Sequence, residues 1–460
     1  MTTTIAAPSF TGQIGFARID ITPEIGIYSK NWGASTKSIL TKVHNPLFIN
    51  TISFNSNGNL FLMSAFDLGG FSNEEEFHPR GLLPFLADKY QIPESNILLH
   101  CVHTHSGPSL NTTIEDPGGE KILPFLKTMK EKLIKSMDDA IACQKEATIE
   151  WESGISPLAT NRDLIDFDKD RVITGFNPQI EPDQTVMVGR VTDEKELPIV
   201  NIVHYACHPT TLAWENEHLS ADYVGSMRLK MEEQTNTPCM FLLGATGDQA
   251  PKNQYKGNID WADRNGNILA YSSLGVLESM CQPNHELTYT GVVESGAPLA
   301  VWDQQPGKSS NQATSLKVDI KLKVKSEYPK LKDLQEQLKD TDDHFMQTRI
   351  KRKISWRKQI GDEEMISNPV WLWKLGNIFF VGVPNEAYSL LQKSLRKDFP
   401  DYAIIPMNIT NGCQSYLPDQ DQFHKDSYAV WVSIFEKGSL ETFYAAAKNG
   451  IQQLIDSENN

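Results

Sequence analysis

Two histidines separated by one residue, in the segment His103-Thr104-His105, are the first side chains whose spacing could support chemistry. If this segment continues the preceding apolar strand, residues two apart share a face, so both imidazoles point the same way. Two imidazoles on one face can bind a metal ion together, or one can bind while the other transfers a proton. A pair of buried, hydrogen-bonded core histidines is an equally good interpretation of this pattern by itself.

A third histidine, His208, follows the apolar run 199–207 and precedes Pro209. Proline has no N–H group and interrupts a β-ladder, so the strand must end here and His208 lies where strand gives way to loop. Strand alternation places His204 on the same face, and we interpret it as a buried packing histidine. The pattern therefore favours His208 over His204 as a ligand.

The other candidates are weaker when each is taken alone. Glu386 is predicted to begin a helix over 386–395, where the helix dipole favours an acidic side chain without any catalytic role. Tyr416 by itself is typical of a core or interface tyrosine, and Arg162 of the surface. The segment 244–248 is similar to a phosphate-binding loop but lacks the Gly-Lys-Ser/Thr ending, which excludes nucleotide binding. No Gly-x-Ser-x-Gly motif is present, which weighs against an α/β-hydrolase triad.

Five short apolar runs, each typical of a buried strand, lead into polar residues of a chemically useful kind. They lead into Asp67, His103, His208, Asp248 and Glu386. In open α/β sheets, ligands bind beyond the carboxyl ends of the strands. The repetition predicts that these five strand ends share one edge of a sheet.

Helices are predicted at 120–143, 225–233, 386–395 and 440–455. The segment 326–364 is rich in Lys, Glu, Asp, Gln and Arg, with little Gly or Pro, and predicts charged helices with a solvated face. The chain contains no internal repeat and no cluster of Pro and Gly that would divide it in two.

Charge and composition exclude several classes of function. The chain has 460 residues with 43 basic and 58 acidic side chains, and its net charge of −15 argues against nucleic-acid binding. A hydrophobic content of 40% is sufficient for a large core, and no apolar run approaches the ~18 residues that span a membrane. No signal peptide is visible, and six sparse cysteines form no CxxC pair, so we expect a cytoplasmic protein with reduced thiols, or a secreted or periplasmic one if a leader was removed.

Taken in order, these motifs resemble the catalytic domain of the neutral (alkaline, non-lysosomal) ceramidases. The resemblance rests on Gly15-Phe-Ala-Arg-Ile-Asp-Ile-Thr-Pro, His44-Asn-Pro-Leu, Phe66-Asp-Leu, His103-Thr-His-Ser-Gly-Pro, Asn161-Arg162, Cys207-His-Pro-Thr, Ala221-Asp-Tyr, Gly244-Ala-Thr-Gly-Asp, Val383-Pro-Asn-Glu386, Asn411-Gly and Tyr416-Leu-Pro. It implies an α/β fold with a large mixed β-sheet flanked by helices. It also implies a single catalytic domain over residues 1–460, with a charged helical insertion at about 326–364. Because the chain stops soon after the last motif, the expected form is a short one without the immunoglobulin-like C-terminal module of the long ceramidases.

The resemblance also implies roles for individual residues. A zinc ion would be bound by His103, His208, Glu386 and Tyr416, and this set of nitrogen and oxygen donors suits zinc. The expected catalytic residues are His105, Arg162 and Tyr416. The expected substrate-binding residues are Asp248, Gln249 and Ala250, and Ala250 stands where the family has a serine that amide cleavage requires.

The sequence therefore predicts a zinc-dependent hydrolase that cleaves an amide (N-acyl) bond, with ceramide or a related N-acyl lipid as the family substrate. Ala250 leaves a second prediction open, in which a zinc enzyme acts on a polar molecule such as a carbohydrate derivative by hydrolysis or elimination. A third is a metal-stabilised binding protein that has lost catalysis.

Overall fold

A computed structural model describes residues 3–169 and 171–458, which form a mixed α/β fold built on two β-sheets. The larger sheet has eight strands: β1 (Ser9–Asp20), β2 (Phe48–Ser56), β3 (Asn59–Phe66), β4 (Ile97–Cys101), β5 (Lys145–Ile155), β6 (Thr185–Asp193), β7 (Pro198–Tyr205) and β8 (Cys239–Leu243). Their spatial order is β8-β7-β6-β5-β1-β2-β3-β4. Strand β3 is parallel to β4 and β7 to β8, and the other neighbours are antiparallel. The expected large mixed sheet is confirmed.

The second sheet has four strands: β9 (Ala313–Val318), β10 (Val370–Leu375), β11 (Ile378–Gly382) and β12 (Ala403–Met407). Strands β11 and β12 are parallel, and the other pairs are antiparallel. The remaining strands form one small three-stranded sheet, of Thr4–Ile5, His285–Glu294 and Pro298–Pro306, and five two-stranded pairs. The pairs are Lys42–Val43 with His218–Leu219, Ala159–Asn161 with Gln249–Pro251, Asp163–Asp166 with Arg171–Thr174, Lys321–Lys323 with Met365–Ser367, and Glu386–Ala387 with Tyr416–Leu417.

Nine α-helices are found within the described residues, and they flank the two sheets. They are α1 (Pro79–Tyr90), α2 (Ile122–Ala142), α3 (Tyr223–Thr235), α4 (Ile259–Ser279), α5 (Leu331–Lys339), α6 (His344–Ile360), α7 (Leu390–Asp398), α8 (Tyr428–Val432) and α9 (Ser439–Asp456). Short 3-10 turns cover Glu75–Phe77, Glu94–Asn96, Gly119–Lys121 and Gln420–Gln422. The predicted helices at 120–143, 225–233 and 440–455 are confirmed as α2, α3 and α9, and the charged segment contains α5 and α6. Among the described residues, no helix combines the length and apolar character needed to span a bilayer.

The predicted helix over 386–395 is wrong at its start. Glu386–Ala387 forms a short parallel strand pair with Tyr416–Leu417, and helix α7 begins only at Leu390. The N–H of Glu386 donates to the carbonyl of Ser415 at 3.0 Å, so its backbone hydrogen bonds go to another segment instead of a helix. Glu386 is therefore not held at a helix N-terminus by the dipole.

The two edge strands of the larger sheet, β4 and β8, approach each other at their carboxyl ends. The Nε2 atom of His100 in β4 accepts a hydrogen bond from the N–H of Leu243 in β8 at 2.9 Å. The segment 408–411, which follows β12, donates to both strands: Asn408 N–H to Leu243 and Asn411 N–H to Leu99. Strand β7, which leads to His208, is the parallel neighbour of β8, so this contact also brings together the strand ends that carry His103 and His208.

The buried histidine His204 provides a test of how acid destabilises this core. Its Nε2 atom lies 2.7 Å from the carbonyl of Pro406, and burial, together with the charge of Arg396, lowers its pKa to about 3. The unfolded chain binds a proton below pH ~6.5 whereas folded His204 does not, so the stability that it contributes is lost as pH falls from 6.5 toward 3. Between pH 7 and pH 5 this loss is about 2 kcal/mol.

We therefore expect His204→Gln to show a smaller drop in the free energy of unfolding between pH 7 and pH 5 than the parent protein. Urea titrations at both pH values measure this difference. The exposed His424 gives the matched variant, His424→Gln, which should follow the parent. An identical pH dependence in His204→Gln and the parent would contradict the expectation.

Candidate active site

His103 and His105 converge in space, although the chain between them is not extended. Strand β4 ends at Cys101, and His103 has a φ angle of +67°, so the predicted shared strand face does not exist. The His103 backbone N–H donates to Leu68 at 2.9 Å, and its Nδ1 atom is hydrogen-bonded to the carbonyl of Gly69. The ring centroids of His103 and His105 lie 5.0 Å apart. A left-handed turn held by the 68–69 segment brings the two rings together.

His208 follows β7 and completes a group of three imidazoles. Its Nδ1 atom is 2.9 Å from the carbonyl of Thr246, which leaves Nε2 directed toward the other rings. Its ring centroid is 5.1 Å from that of His103 and 6.0 Å from that of His105. The backbone N–H of His208 donates to Gln249 at 3.0 Å, so the 246–249 loop holds both the ring and the main chain.

The short strand pair places Glu386 and Tyr416 side by side, because their Cα atoms are register partners. The Oε2 atom of Glu386 is 3.0 Å from Nε2 of His208 and 3.3 Å from Nε2 of His103. The Tyr416 hydroxyl is 3.5 Å from the same nitrogen of His208. Arg162 is buried behind this pair and donates from Nη2 to the Tyr416 hydroxyl at 3.1 Å and to Gly247 at 2.7 Å.

This donor set fits a metal ion. One ring nitrogen each from His103, His105 and His208 can lie within 4.8 Å of one another, so these three residues could hold a metal. The Nε2 atom of His103 is buried and makes no hydrogen bond among the described residues, although the Glu386 carboxylate lies 3.3 Å from it. A buried imidazole nitrogen without a hydrogen bond is costly in a folded protein, and a metal ion beside Glu386 would satisfy it. Ligands about 2.0 Å from a tetrahedral zinc lie roughly 3.3 Å apart, close to the separations around Glu386 and His208.

Burial and neighbouring charges set the ionisation of the site. Burial opposes the charge of Glu386, but the adjacent His103 and His208 hold the pKa of this carboxyl well below its usual value. Burial also opposes the charge of His103, whereas the Glu386 carboxylate raises the pKa of this imidazole. Burial, followed by the charge of Arg162, lowers the pKa of His208 to about 4. Burial, followed by His103, holds the pKa of His105 well below its ordinary value, so His105 is a neutral imidazole at pH 7.

A cavity of about 380 Å³ opens above this site. Its floor includes His105, Arg162 and Tyr416, and its walls carry aromatic and arginine side chains: Trp32, Tyr255, Tyr428, Trp431, Arg349 and Arg352. A second cavity of about 260 Å³ is lined by His103 and His105 and shares Asn31 and His105 with the first. Two spaces large enough for a small organic molecule thus border the histidine cluster.

The fold, once compared with known structures, has clear counterparts. It is similar to the neutral ceramidase from Pseudomonas aeruginosa, with a TM-score of 0.68 and 14% sequence identity over 95% of this chain and 73% of that one. A ceramidase complexed with C2 has a TM-score of 0.64 and 14% identity over 95% of this chain and 74% of the other. The fold is ceramidase-like. No protein-family model matches the sequence, and no curated protein matches it.

The predicted substrate-binding residues lie behind the cavity of this ceramidase-like fold. Gln249 and Ala250 are fully buried, and the Gln249 side chain is bonded to the N–H of Asp183 and, at 2.7 Å, the carbonyl of Ala206. Asp248 accepts hydrogen bonds from the N–H and hydroxyl of Ser389, both at 2.7 Å, at the start of α7. In this arrangement the three residues brace the loop that holds His208, and their contact with a substrate stays a prediction.

Asp67, the first of the five predicted strand ends in chain order, does not face the histidines. Its carboxylate is fully buried and receives two hydrogen bonds of 2.7 Å from Arg228 of α3. The strand-end pattern therefore identified three positions of the candidate site, His103, His208 and Glu386. Asp67 instead forms a buried ion pair that holds α3 against the sheet.

Sequence reasoning missed the cavity walls. Trp32 lies in an irregular segment and packs against His105 with ring centroids 5.1 Å apart, and no periodic pattern marks it. Arg349 and Arg352 lie in the charged segment that was expected to be a solvated face. Their spacing of three residues puts them on one side of a helix, which is the only signal that could have found them.

Proposed function

We propose that this protein is a zinc-dependent hydrolase of the neutral ceramidase type, which cleaves an amide (N-acyl) bond. The observation that carries the proposal is the cluster of donor atoms from His103, His208, Glu386 and Tyr416 at separations of 3.0, 3.3 and 3.5 Å. The likeness of the fold to neutral ceramidases supports the same reaction class. A zinc ion held by these residues would act as a Lewis acid that polarises a carbonyl and makes water a better nucleophile near pH ~7.

His105 is the proposed proton carrier: its ring nitrogen lies near those of His103 and His208, but with Glu386 and Tyr416 completing the ligand set we propose that His105 stays unligated. Its Nε2 atom is buried and without a hydrogen-bond partner among the described residues, and its neutral imidazole can accept a proton. The indole of Trp32 packs against the ring and limits its rotation. His105 would take a proton at Nε2 from the attacking water and return it to the leaving nitrogen, the usual cycle of a general base and acid.

Arg162 and Tyr416 are proposed to orient the acyl group. The Nε and Nη2 atoms of Arg162 are held by the carbonyl of Gly247 and the Tyr416 hydroxyl, so Nη1 is left to donate toward the cavity. A fixed donor aimed at developing negative charge on the carbonyl oxygen stabilises the transition state more than the ground state. The same bond to Arg162 keeps the Tyr416 hydroxyl oriented toward His208.

A second candidate function is favoured by the character of the cavity. Its wall includes arginine, threonine and asparagine side chains, which suits a polar substrate such as a carbohydrate derivative better than a purely apolar chain. Ala250 also favours this second candidate, because it stands where the family has a serine that amide cleavage requires. In this second proposal the zinc site acts on the polar molecule by hydrolysis or elimination.

Turnover of matched substrates tests the proposal. The purified protein is assayed with ceramides and with N-acylated amino sugars, before and after treatment with a chelator and again after zinc is added back. We expect about one zinc per chain and release of free amine that stops on chelation and returns with zinc. Chelator-insensitive hydrolysis, or a protein that binds no metal, would refute it. Elimination without amine release would favour the second candidate.

A further inference from the structure

We propose that the 380 Å³ cavity selects N-acyl substrates that carry a negatively charged oxygen group, which Arg349 and Arg352 bind. The identity of the reacting bond rests on the proposed function, whereas the selection for negative charge rests on the cavity itself. A sphere of this volume is roughly 9 Å across. An anionic group at the arginines and an amide at His105 therefore belong to one small molecule.

The charge of the cavity wall is opposite to that of the whole protein. The chain has a net charge of −15, yet the cavity is lined by three guanidinium groups, from Arg162, Arg349 and Arg352, and by no Asp or Glu side chain. Within residues 3–169 and 171–458 the arginines paired with carboxylates are Arg18, Arg171, Arg190, Arg228 and Arg396. Arg349 and Arg352 line the cavity with their side chains partly open to solvent and are not among them. Uncompensated positive charge in a concave site attracts an anionic ligand.

Aromatic rings hold these arginines in place without neutralising them. The guanidinium carbon of Arg349 is 5.2 Å from the ring of Trp431, and that of Arg352 is 5.7 Å from the ring of Tyr428. Arg352 also donates a hydrogen bond to the Tyr428 hydroxyl. Guanidinium groups stacked on rings keep their charge and their remaining N–H donors, and a planar fork of donors suits carboxylate, sulfate or phosphate oxygens.

One face of helix α6 presents these side chains to the cavity. Phe345, Thr348, Arg349 and Arg352 all line it, and their spacing of three, four and seven residues is that of a single helix face. An added methyl group on Gly33 would lie 3.4 Å from the Thr348 methyl, which places α6 directly over the segment that carries Trp32. The charged segment thus forms a wall of the site as well as a solvated surface.

The test compares N-acyl compounds with the same acyl chain whose head groups are either anionic or neutral. N-acylglycine, N-acyltaurine and N-acylglycine methyl ester, all of one acyl length, are assayed for turnover and for binding by calorimetry with the full-length protein. The parent should bind the two anionic compounds about 10- to 100-fold more tightly than the ester, because hydrogen bonds to charged groups are the strong ones. The Arg349→Gln/Arg352→Gln double variant should lose this preference and keep its affinity for the ester.

A matched control removes the same charge elsewhere on the helix. Lys351 and Lys358 are exposed residues of α6 outside the cavity, and Lys351→Gln/Lys358→Gln should retain the preference. Arg349→Lys/Arg352→Lys keeps the charge and should retain part of it. Equal binding of N-acylglycine and its methyl ester by the parent would overturn the proposal. Loss of the preference for the anionic compounds in Lys351→Gln/Lys358→Gln would overturn it as well.

The binding readout separates this proposal from the proposed function. Charge-selective binding without turnover of any N-acyl compound would refute the hydrolase and leave the anion site supported. Amide turnover at equal rates and affinities for anionic and neutral compounds would support the hydrolase and refute the anion site. If the double variant lost only its affinity for phosphatidylserine vesicles, the arginines would bind a membrane surface and the proposal would be wrong.

Discussion

For the zinc hydrolase proposed above, replacing His208 by alanine is expected to abolish zinc binding and to lower amide hydrolysis by about 10³-fold or more. The ring is fully buried and fixed by its bond to Thr246, and its Nε2 atom contacts both Glu386 and Tyr416, so one substitution removes a proposed ligand together with its contacts to two others. A zinc ion held by these residues would supply several kcal/mol of transition-state stabilisation as a Lewis acid, and every 1.36 kcal/mol corresponds to tenfold in rate. Elemental analysis and the rate of amine release measure the two effects.

The matched control is His204→Ala, four residues earlier in the same chain segment and equally buried, which should keep its zinc. Chelation should also lower the melting temperature of the parent protein, since a ligand at about 1,000 times its Kd stabilises the fold by about 4 kcal/mol. His208→Ala should show no such response to chelator. Full zinc occupancy in both His208→Ala and His103→Ala would disprove the ligand assignment.

The second large effect concerns stability, and it lies at Arg228. Replacement by methionine is expected to lower the free energy of unfolding by about 3–5 kcal/mol, because the Asp67 carboxylate would remain buried without a counter-charge. The pair is bidentate, with two contacts of 2.7 Å, and both side chains are almost completely shielded from solvent. Urea unfolding measures the change.

A double variant separates the ion pair from simple packing. In the parent protein the Phe48 N–H donates to the Asp67 carboxylate at 2.9 Å. Asp67→Asn/Arg228→Met removes both charges and keeps an oxygen that can accept this hydrogen bond. It should recover much of the lost stability, because the cost of breaking a buried pair comes mainly from the isolated charge. Arg171→Met, at an exposed ion pair with Asp166, should change stability little. A double variant as unstable as Arg228→Met would contradict this account.

Part of the candidate site could be predicted because its residues follow local patterns. The apolar runs before Asp67, His103, His208 and Asp248 and the run at 378–382 are all strands in the structure, since burial and alternation act over a few residues. Helices α2, α3 and α9 were predicted for the same reason. By contrast, the backbone of Glu386 pairs with residues some thirty positions later in the chain, and no local pattern reports that partner.

The sequence by itself determined the residue types of the candidate metal site, the strand ends that carry most of them and the ceramidase-like resemblance that connects them. Only the tertiary structure decided that His103 and His208 meet, because the edge strands β4 and β8 close through His100, Leu243 and the 408–411 segment. It also decided that a left-handed turn, not a strand face, aligns His103 with His105. Likewise, only the packing of helix α6 against segments distant in the chain brings Arg349 and Arg352 to the cavity. Side-chain chemistry is local information, whereas which surfaces face each other depends on packing between segments far apart in the chain.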